Sequence, residues 1–215
     1  MTGNSSSTLF STHEEIFNSI THGIGALLGV AALAILVTIA GKQGDLRGVV
    51  AYGIYGTTLV VLYLSSFLYH AAVAVRRKRI LRMLDYISIF LLIAGSYTPI
   101  ALLVLKGTWG KAILIGIWAL ALAGIAMTLL NAKKTRPYAI ALYFVMGWLM
   151  VLAVGPMLKV APAGLMILLL AGGLFYTGGI VFFAMKRIPF NHGIWHLFVL
   201  AGSISHFLGF LLYLT

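Results

Sequence analysis

The chain has 215 residues, 61% of them hydrophobic and 9% charged, with a mean hydropathy of +1.05, which lies far outside the range of soluble globular domains. Fifteen Lys and Arg against four Asp and Glu give a net charge of +11; in a soluble protein that balance would point to nucleic acid, but here the basic residues sit in short connections between apolar runs, where they set membrane topology, so no nucleic-acid partner is expected. With no cysteine, disulfides and thiolate ligands are excluded, and any metal site has to be built from His and carboxylate.

The first twenty residues are Ser-rich, contain Glu14 and Glu15 and carry no Lys or Arg, so no signal peptide is expected. Thr2 in place of Gly and the final Leu214-Thr215 give no myristoylation or prenylation signal. Residues 1–22 read as a short cytoplasmic arm and residues 23–215 as one membrane domain.

Crossing a hydrocarbon core of about 30 Å takes roughly 20 apolar residues at about 1.5 Å per residue. Seven runs meet that requirement: 23–40, 49–75, 86–105, 112–130, 138–158, 163–185 and 194–214. Gly, Pro and charge punctuate the connections 41–48, 76–84, 106–111, 131–137, 159–162 and 186–193. The expected fold is all-α, a polytopic bundle of seven transmembrane helices.

Alternate connections share a membrane face. One face carries Arg76, Arg77, Lys78, Arg79, Arg82, Lys133, Lys134, Arg136, Lys186 and Arg187; the other carries Lys42, Arg47, Lys106, Lys111 and Lys159. Because Lys and Arg are retained in the cytoplasm, this bias predicts the N-terminus inside and the C-terminus outside, in a cell inner (plasma) membrane. The run Arg76–Arg82 is read as a topology signal close to anionic lipid headgroups. Small residues at close spacing, as in Gly25–Gly29 and at Gly172, Gly173, Gly178 and Gly179, are read as helix-packing positions.

Ionisable side chains inside a membrane cost roughly 2.5–3.5 kcal/mol each on insertion scales and need a reason. Topology places four of them at one depth, although they come from distant segments: His70 near the end of the second run, Asp85 at the start of the third, and His192 with His196 at the start of the seventh. His192 and His196 share a helix face, about 6 Å apart along the axis. With His70 they offer three imidazoles, a set suited to Zn²⁺ that leaves one position for a water whose pKa can fall to about 7.

Asp85 is a candidate ligand, a partner of a ligating His, or a base that holds the water, and we adopt the last role. Ser66, four residues before His70, shares its face; it either hydrogen-bonds within the site or is a packing serine bonded to its own backbone. His206 lies about 15 Å deeper than His196 and is expected to be a hydrogen-bonded core residue. His22, Glu14 and Glu15 are on the correct side but equally suit the membrane interface, and His13 has no evident role.

The segment Glu14-Glu15-Ile16-Phe17-Asn18-Ser19-Ile20-Thr21-His22-Gly23-Ile24-Gly25 resembles the opening of bacterial hemolysin III-like proteins. Ser66-Phe67-Leu68-Tyr69-His70, Asp85, Gly95-Ser96-Tyr97-Thr98-Pro99 and Asn191-His192-Gly193-Ile194-Trp195-His196 look like that family's successive signatures, in order across nearly the whole chain. That family is similar to the progestin and adiponectin receptors and more remotely to alkaline ceramidases. The resemblance implies a zinc ion held by His70, His192 and His196, with Asp85 near the metal-bound water and Ser66 beside it. The resemblance does not fix the activity; three His, one Asp and one Ser at one membrane depth are read first as a zinc-dependent hydrolase acting on a lipid amide or ester. The competing expectation is a non-enzymatic protein with structural zinc, affecting membrane permeability or sensing lipid state. Hormone reception is not expected of a chain with so short an arm and tail.

Overall fold

A computed structural model describes residues 10–215, with the side chains of residues 131–136 set aside. All regular elements among the described residues are helical: α1 (Thr12–Lys42), α2 (Leu46–Ala71), α3 (Val75–Pro99), α4 (Gly107–Gly147), α5 (Val154–Val160), α6 (Ala163–Ala184) and α7 (Asn191–Tyr213). Seven segments are long and apolar enough to cross a membrane. The third extends from α3 to Val104, the fourth is Gly107–Leu130, and the fifth, Pro137–Val160, runs from the end of α4 through α5. The expected connection 131–137 falls almost wholly on residues whose side chains lie outside the described set.

The apolar runs locate the spans, and polar chemistry extends them. α1 starts at Thr12 rather than at residue 23, because Ser11 and Glu14 close a capping box. The Ser11 amide donates to the Glu14 carboxylate at 2.8 Å and the Glu14 amide to the Ser11 hydroxyl at 3.3 Å. Residues 12–22 of the expected arm are therefore helix. The basic run, expected as a connection over 76–84, instead forms the opening turns of α3. Arg, Lys and Leu are good helix formers, so once Ala72–Ala74 have turned the chain nothing in the run interrupts a helix.

At the far end of α3, Pro99 has no amide hydrogen to give, and the chain widens into a π-turn over Ile100–Val104, closed by the Leu105 amide donating to the Ile100 carbonyl at 2.8 Å. Gly44 and Gly107, both with φ above +70° or at it, make the tight reversals before α2 and into α4.

The helices pack in sequence, α1 on α2, α2 on α3, α3 on α4 and α6 on α7, and α1 meets α7 to close the bundle. α2 and α3 are the most buried spans and form its centre. Hydrogen bonds fix the register of these contacts. The Ser65 hydroxyl donates to Ser88 at 3.0 Å between α2 and α3, and the Tyr143 and Tyr97 hydroxyls donate to the carbonyls of Tyr86 and Gly147, at 2.7 and 2.9 Å. Ser203 of α7 receives the Tyr63 hydroxyl at 2.8 Å and lies 3.0 Å from that of Tyr176, linking α2, α6 and α7. Away from water such bonds hold helices together where hydrophobic burial cannot distinguish protein from lipid.

The packing role expected of the small residues holds at most positions. A Cβ on Gly25 would strike the Tyr63 ring, one on Gly172 the His206 ring, and one on Gly179 the side chains of Trp195 and Phe198. Gly173 differs, since it faces open space and borders a cavity.

Candidate metal centre

The end of the bundle that carries the first turns of α1 gathers His70 from the last turn of α2 and His192 and His196 from the opening turns of α7. Asn191 positions the last two: its side-chain amide donates to the carbonyls of Phe182 and Phe183, at 3.3 and 3.0 Å, tying the start of α7 to the end of α6. The entry to α7 also uses Phe190 at φ 56°, a left-handed conformation unusual for an aromatic residue. Its ring packs edge-on against Phe17, and its amide donates to Glu14 at 3.2 Å.

All three imidazoles are buried, and one ligand atom of each lies within 4.8 Å of the others. The Nε2 atom of His192 is central, 3.2 Å from Nε2 of His70 and 3.1 Å from Nε2 of His196. Two nitrogens bound to one tetrahedral ion at about 2.0–2.1 Å stand about 3.3 Å apart, so these spacings suit a shared cation. The partners of the outer nitrogens agree. Nδ1 of His70 faces the Glu15 carboxylate at 2.6 Å and Nδ1 of His196 faces the Thr21 hydroxyl at 3.4 Å. The Thr21 hydroxyl hydrogen is directed to the Phe17 and Asn18 carbonyls, 3.0 Å away in both cases, so toward His196 its oxygen acts as acceptor. The rings of His70 and His196 thus carry the proton on Nδ1 and turn Nε2 toward the Nε2 atom of His192. Three buried imidazoles whose ligand atoms lie this close, two of them with Nδ1 held by an acceptor, fit a metal ion.

The other expected site residues take distinct places. Asp85 is 3% exposed and stands outside the group of converging ligand atoms. It borders a cavity of about 170 Å³ between the third, fifth, sixth and seventh spans. The Ser66 hydroxyl is fully buried and has Asp85 as its polar neighbour, with no other hydrogen-bond partner. It is not the packing serine bonded to its own backbone. His206 donates from Nε2 to the Leu169 carbonyl at 3.3 Å, as expected of a core histidine, and its ring also borders the cavity.

Sequence reasoning left the contribution of α1 open. Glu15 faces His70 and also contacts the Lys78 ammonium at 2.8 Å. His22 is buried, stacks on His196 and faces the cavity. Phe10 covers the group from the chain's N-terminal side, its ring stacked on His192 at 4.8 Å. The available signal was a helical one: 15, 18 and 22 follow the three- and four-residue steps of one helix face, hidden because the polar start of α1 precedes its apolar run.

A profile of the family described as "Haemolysin-III related" matches residues 10–207. The chain belongs to this family. Proteins of similar sequence are the hemolysin-3 homolog of Bacillus subtilis (strain 168), 42% identical over 95% of this chain and 96% of the relative, and hemolysin-3 of Bacillus cereus, 42% identical over 93% and 91%. The monocyte to macrophage differentiation factor of Homo sapiens is 30% identical over 91% of this chain and 82% of its own length. The hemolysin III resemblance read in the motifs therefore holds, as does the relation to the progestin and adiponectin receptor superfamily. The chain is a multi-pass membrane protein of the hemolysin III type, with a three-His group able to hold a metal ion.

Proposed function

We propose that this hemolysin III-type protein is a zinc-dependent hydrolase of a lipid amide or ester, embedded in the plasma membrane with its N-terminus in the cytoplasm. The observation that carries the reading is that three convergent imidazole Nε2 atoms are joined, through His22 stacked on His196, to a cavity that His22 borders and whose walls are mainly apolar and include one carboxylate, Asp85.

His70, His192 and His196 would hold the ion, and a neutral three-His set suits zinc. Bound zinc supplies Lewis-acid polarisation of a carbonyl and makes a water acidic enough to act near neutral pH. Around it, Asp85 accepts a hydrogen bond from a water at the cavity's polar end and takes its proton. Ser66, whose hydroxyl has no other partner, donates to that carboxylate and holds its orientation. Leu92, Ile93, Ile100, Leu169 and Val199 form an apolar wall for an acyl chain and keep bulk water from the reacting groups. Tyr97, Tyr176 and Trp195 add amphipathic surface along the same wall.

The name hemolysin-3 borne by the Bacillus cereus relative favours a second reading, a non-enzymatic protein with structural zinc that alters permeability. A conducting pathway needs polar lining along its length, and the apolar cavity wall argues for the first. The test is to incubate purified, zinc-loaded protein with a broad panel of lipid amides and esters and to follow released acyl chains by mass spectrometry. Cleavage of at least one lipid, abolished in Asp85→Asn, is expected. No cleavage of any lipid, with flux through protein-containing liposomes, would replace this reading with the second.

A further inference from the structure

We propose that Glu15 is a positioning residue of the metal centre, fixing the His70 ring so that its Nε2 points at the ion, with Lys78 of the basic run holding Glu15 in turn. The inference rests on the metal reading above and adds to it a role for α1, which supplies no ligand.

His70 sits at the end of α2, one residue before the chain leaves the helix, where little backbone structure follows to hold it. Its neighbour Ala71 is exposed and the turn 72–74 is short. Orientation therefore has to come from the ring's own contacts. The strongest is the 2.6 Å bond from Nδ1 to Glu15 Oε2, a charge-assisted hydrogen bond at the short end of its range. A carboxylate accepts only, so the Nδ1 atom carries the proton, and the neutral ring that a metal requires presents its lone pair at Nε2. The same bond makes the imidazole a more basic ligand, as carboxylate partners of metal-bound histidines do.

Glu15 is itself constrained from two directions. The Lys78 ammonium lies 2.8 Å from Oε1, and Lys78 also donates to the Ala72 carbonyl at 3.3 Å and lies over the Tyr69 ring at 5.2 Å. Lys78 thus closes the α2–α3 turn around the carboxylate. α1 is anchored by Glu14, which bonds to Ser11 and to the Phe190 amide and makes no contact with His70. Two adjacent glutamates therefore have separable tasks: Glu14 fastens the helix start, and Glu15 orients a ligand.

The experiment measures zinc affinity of the purified full chain by competition with a chromophoric chelator, together with the visible spectrum of the cobalt-substituted protein. The variants are Glu15→Ala, Glu15→Gln, Lys78→Met and Glu14→Gln, each first shown to be folded by its thermal melt. Glu15→Ala is expected to weaken zinc binding 10- to 100-fold, the range typical of lost outer partners of metal ligands, while still reaching one zinc per chain at saturation and shifting the cobalt bands. Glu15→Gln retains an acceptor for Nδ1 and is expected to fall between Ala and the parent. Lys78→Met is expected to weaken binding by a smaller factor, and Glu14→Gln to leave it at the parent value. Parent-like affinity and an unchanged cobalt spectrum in Glu15→Ala would overturn the positioning role and leave the metal reading intact. Should Glu15→Ala not fold, Glu15→Gln with parent affinity and spectrum overturns it equally. A parent chain that binds no zinc or cobalt overturns both.

Discussion

The imidazole of His22 lies face to face on that of His196, ring centroids 3.5 Å apart and planes 14° from parallel. Neither His22 ring nitrogen has a hydrogen-bond partner, so its contribution to His196 is made by the ring face rather than by a bond. His22→Phe keeps a flat ring in the stack and removes two buried polar atoms that have no partner, a change that need not destabilise. One metal per chain and a melting temperature at or above the parent's are expected. His22→Ala leaves a void under His196, costing on the order of 2–4 kcal/mol and weakening metal binding. Loss of metal from a folded His22→Phe protein would show that a ring nitrogen is what His196 requires.

Elemental analysis of the purified parent is expected to give about one zinc per chain. His70→Ala, His192→Ala and His196→Ala each remove one of three converging nitrogens and are expected to lose it. Asp85→Asn, outside the ligand group, is expected to retain the metal while lipid turnover falls by roughly 10²–10⁴-fold, the usual effect of losing a general base. Loss of zinc from folded Asp85→Asn would make Asp85 a ligand.

The basic run supports a topological prediction. Arg76, Arg77 and Arg79 are exposed on the opening turns of α3, and this run supplies most of the asymmetry between faces. A reporter fused after Thr215 is expected to read as extracytoplasmic. Replacing Arg76, Arg77, Arg79 and Arg82 with Gln, while sparing Lys78 for its pairing with Glu15, is expected to give mixed orientation. A cytoplasmic signal from the parent fusion would reverse the orientation.

The seven spans were legible because about 20 apolar residues in a row have few other uses, and the expected runs fall within or close to the observed helices. The meeting of His70 with His192 and His196 was legible too, since alternating topology brings the end of the second span and the start of the seventh to one face. Helix ends were less so. A capping box at Ser11 and helix-forming Arg and Lys at 76–82 extend α1 and α3 beyond their apolar cores, and hydropathy reports only the core. The contacts of Glu15, Thr21 and His22 were hidden for a related reason. They depend on α1 packing against α7, which no local pattern specifies, and a polar helix start reads equally as a headgroup anchor.

Gly173 offers a test of the cavity apart from the metal. Its neighbour Gly172 is closed in by His206, but a Cβ on Gly173 would meet nothing within 4 Å, and the residue borders the space into which Asp85 and His22 face. Gly173→Leu extends a branched side chain from a Cβ that meets nothing, at the border of that space. In a cavity of about 170 Å³ such a side chain takes much of the room available to an acyl chain. Because helix α6 gains a better helix former in exchange for Gly, worth about 0.8–1 kcal/mol, the melting temperature is expected to hold or rise. Zinc content should stay at the parent value, since none of the three histidines touches the position. Lipid turnover is expected to fall at least 10-fold, with the largest loss for the longest acyl chains. If turnover of every chain length matched the parent's, the lipid would have to reach the metal centre by another route, and the juxtaposition of cavity and histidines would lose its functional meaning.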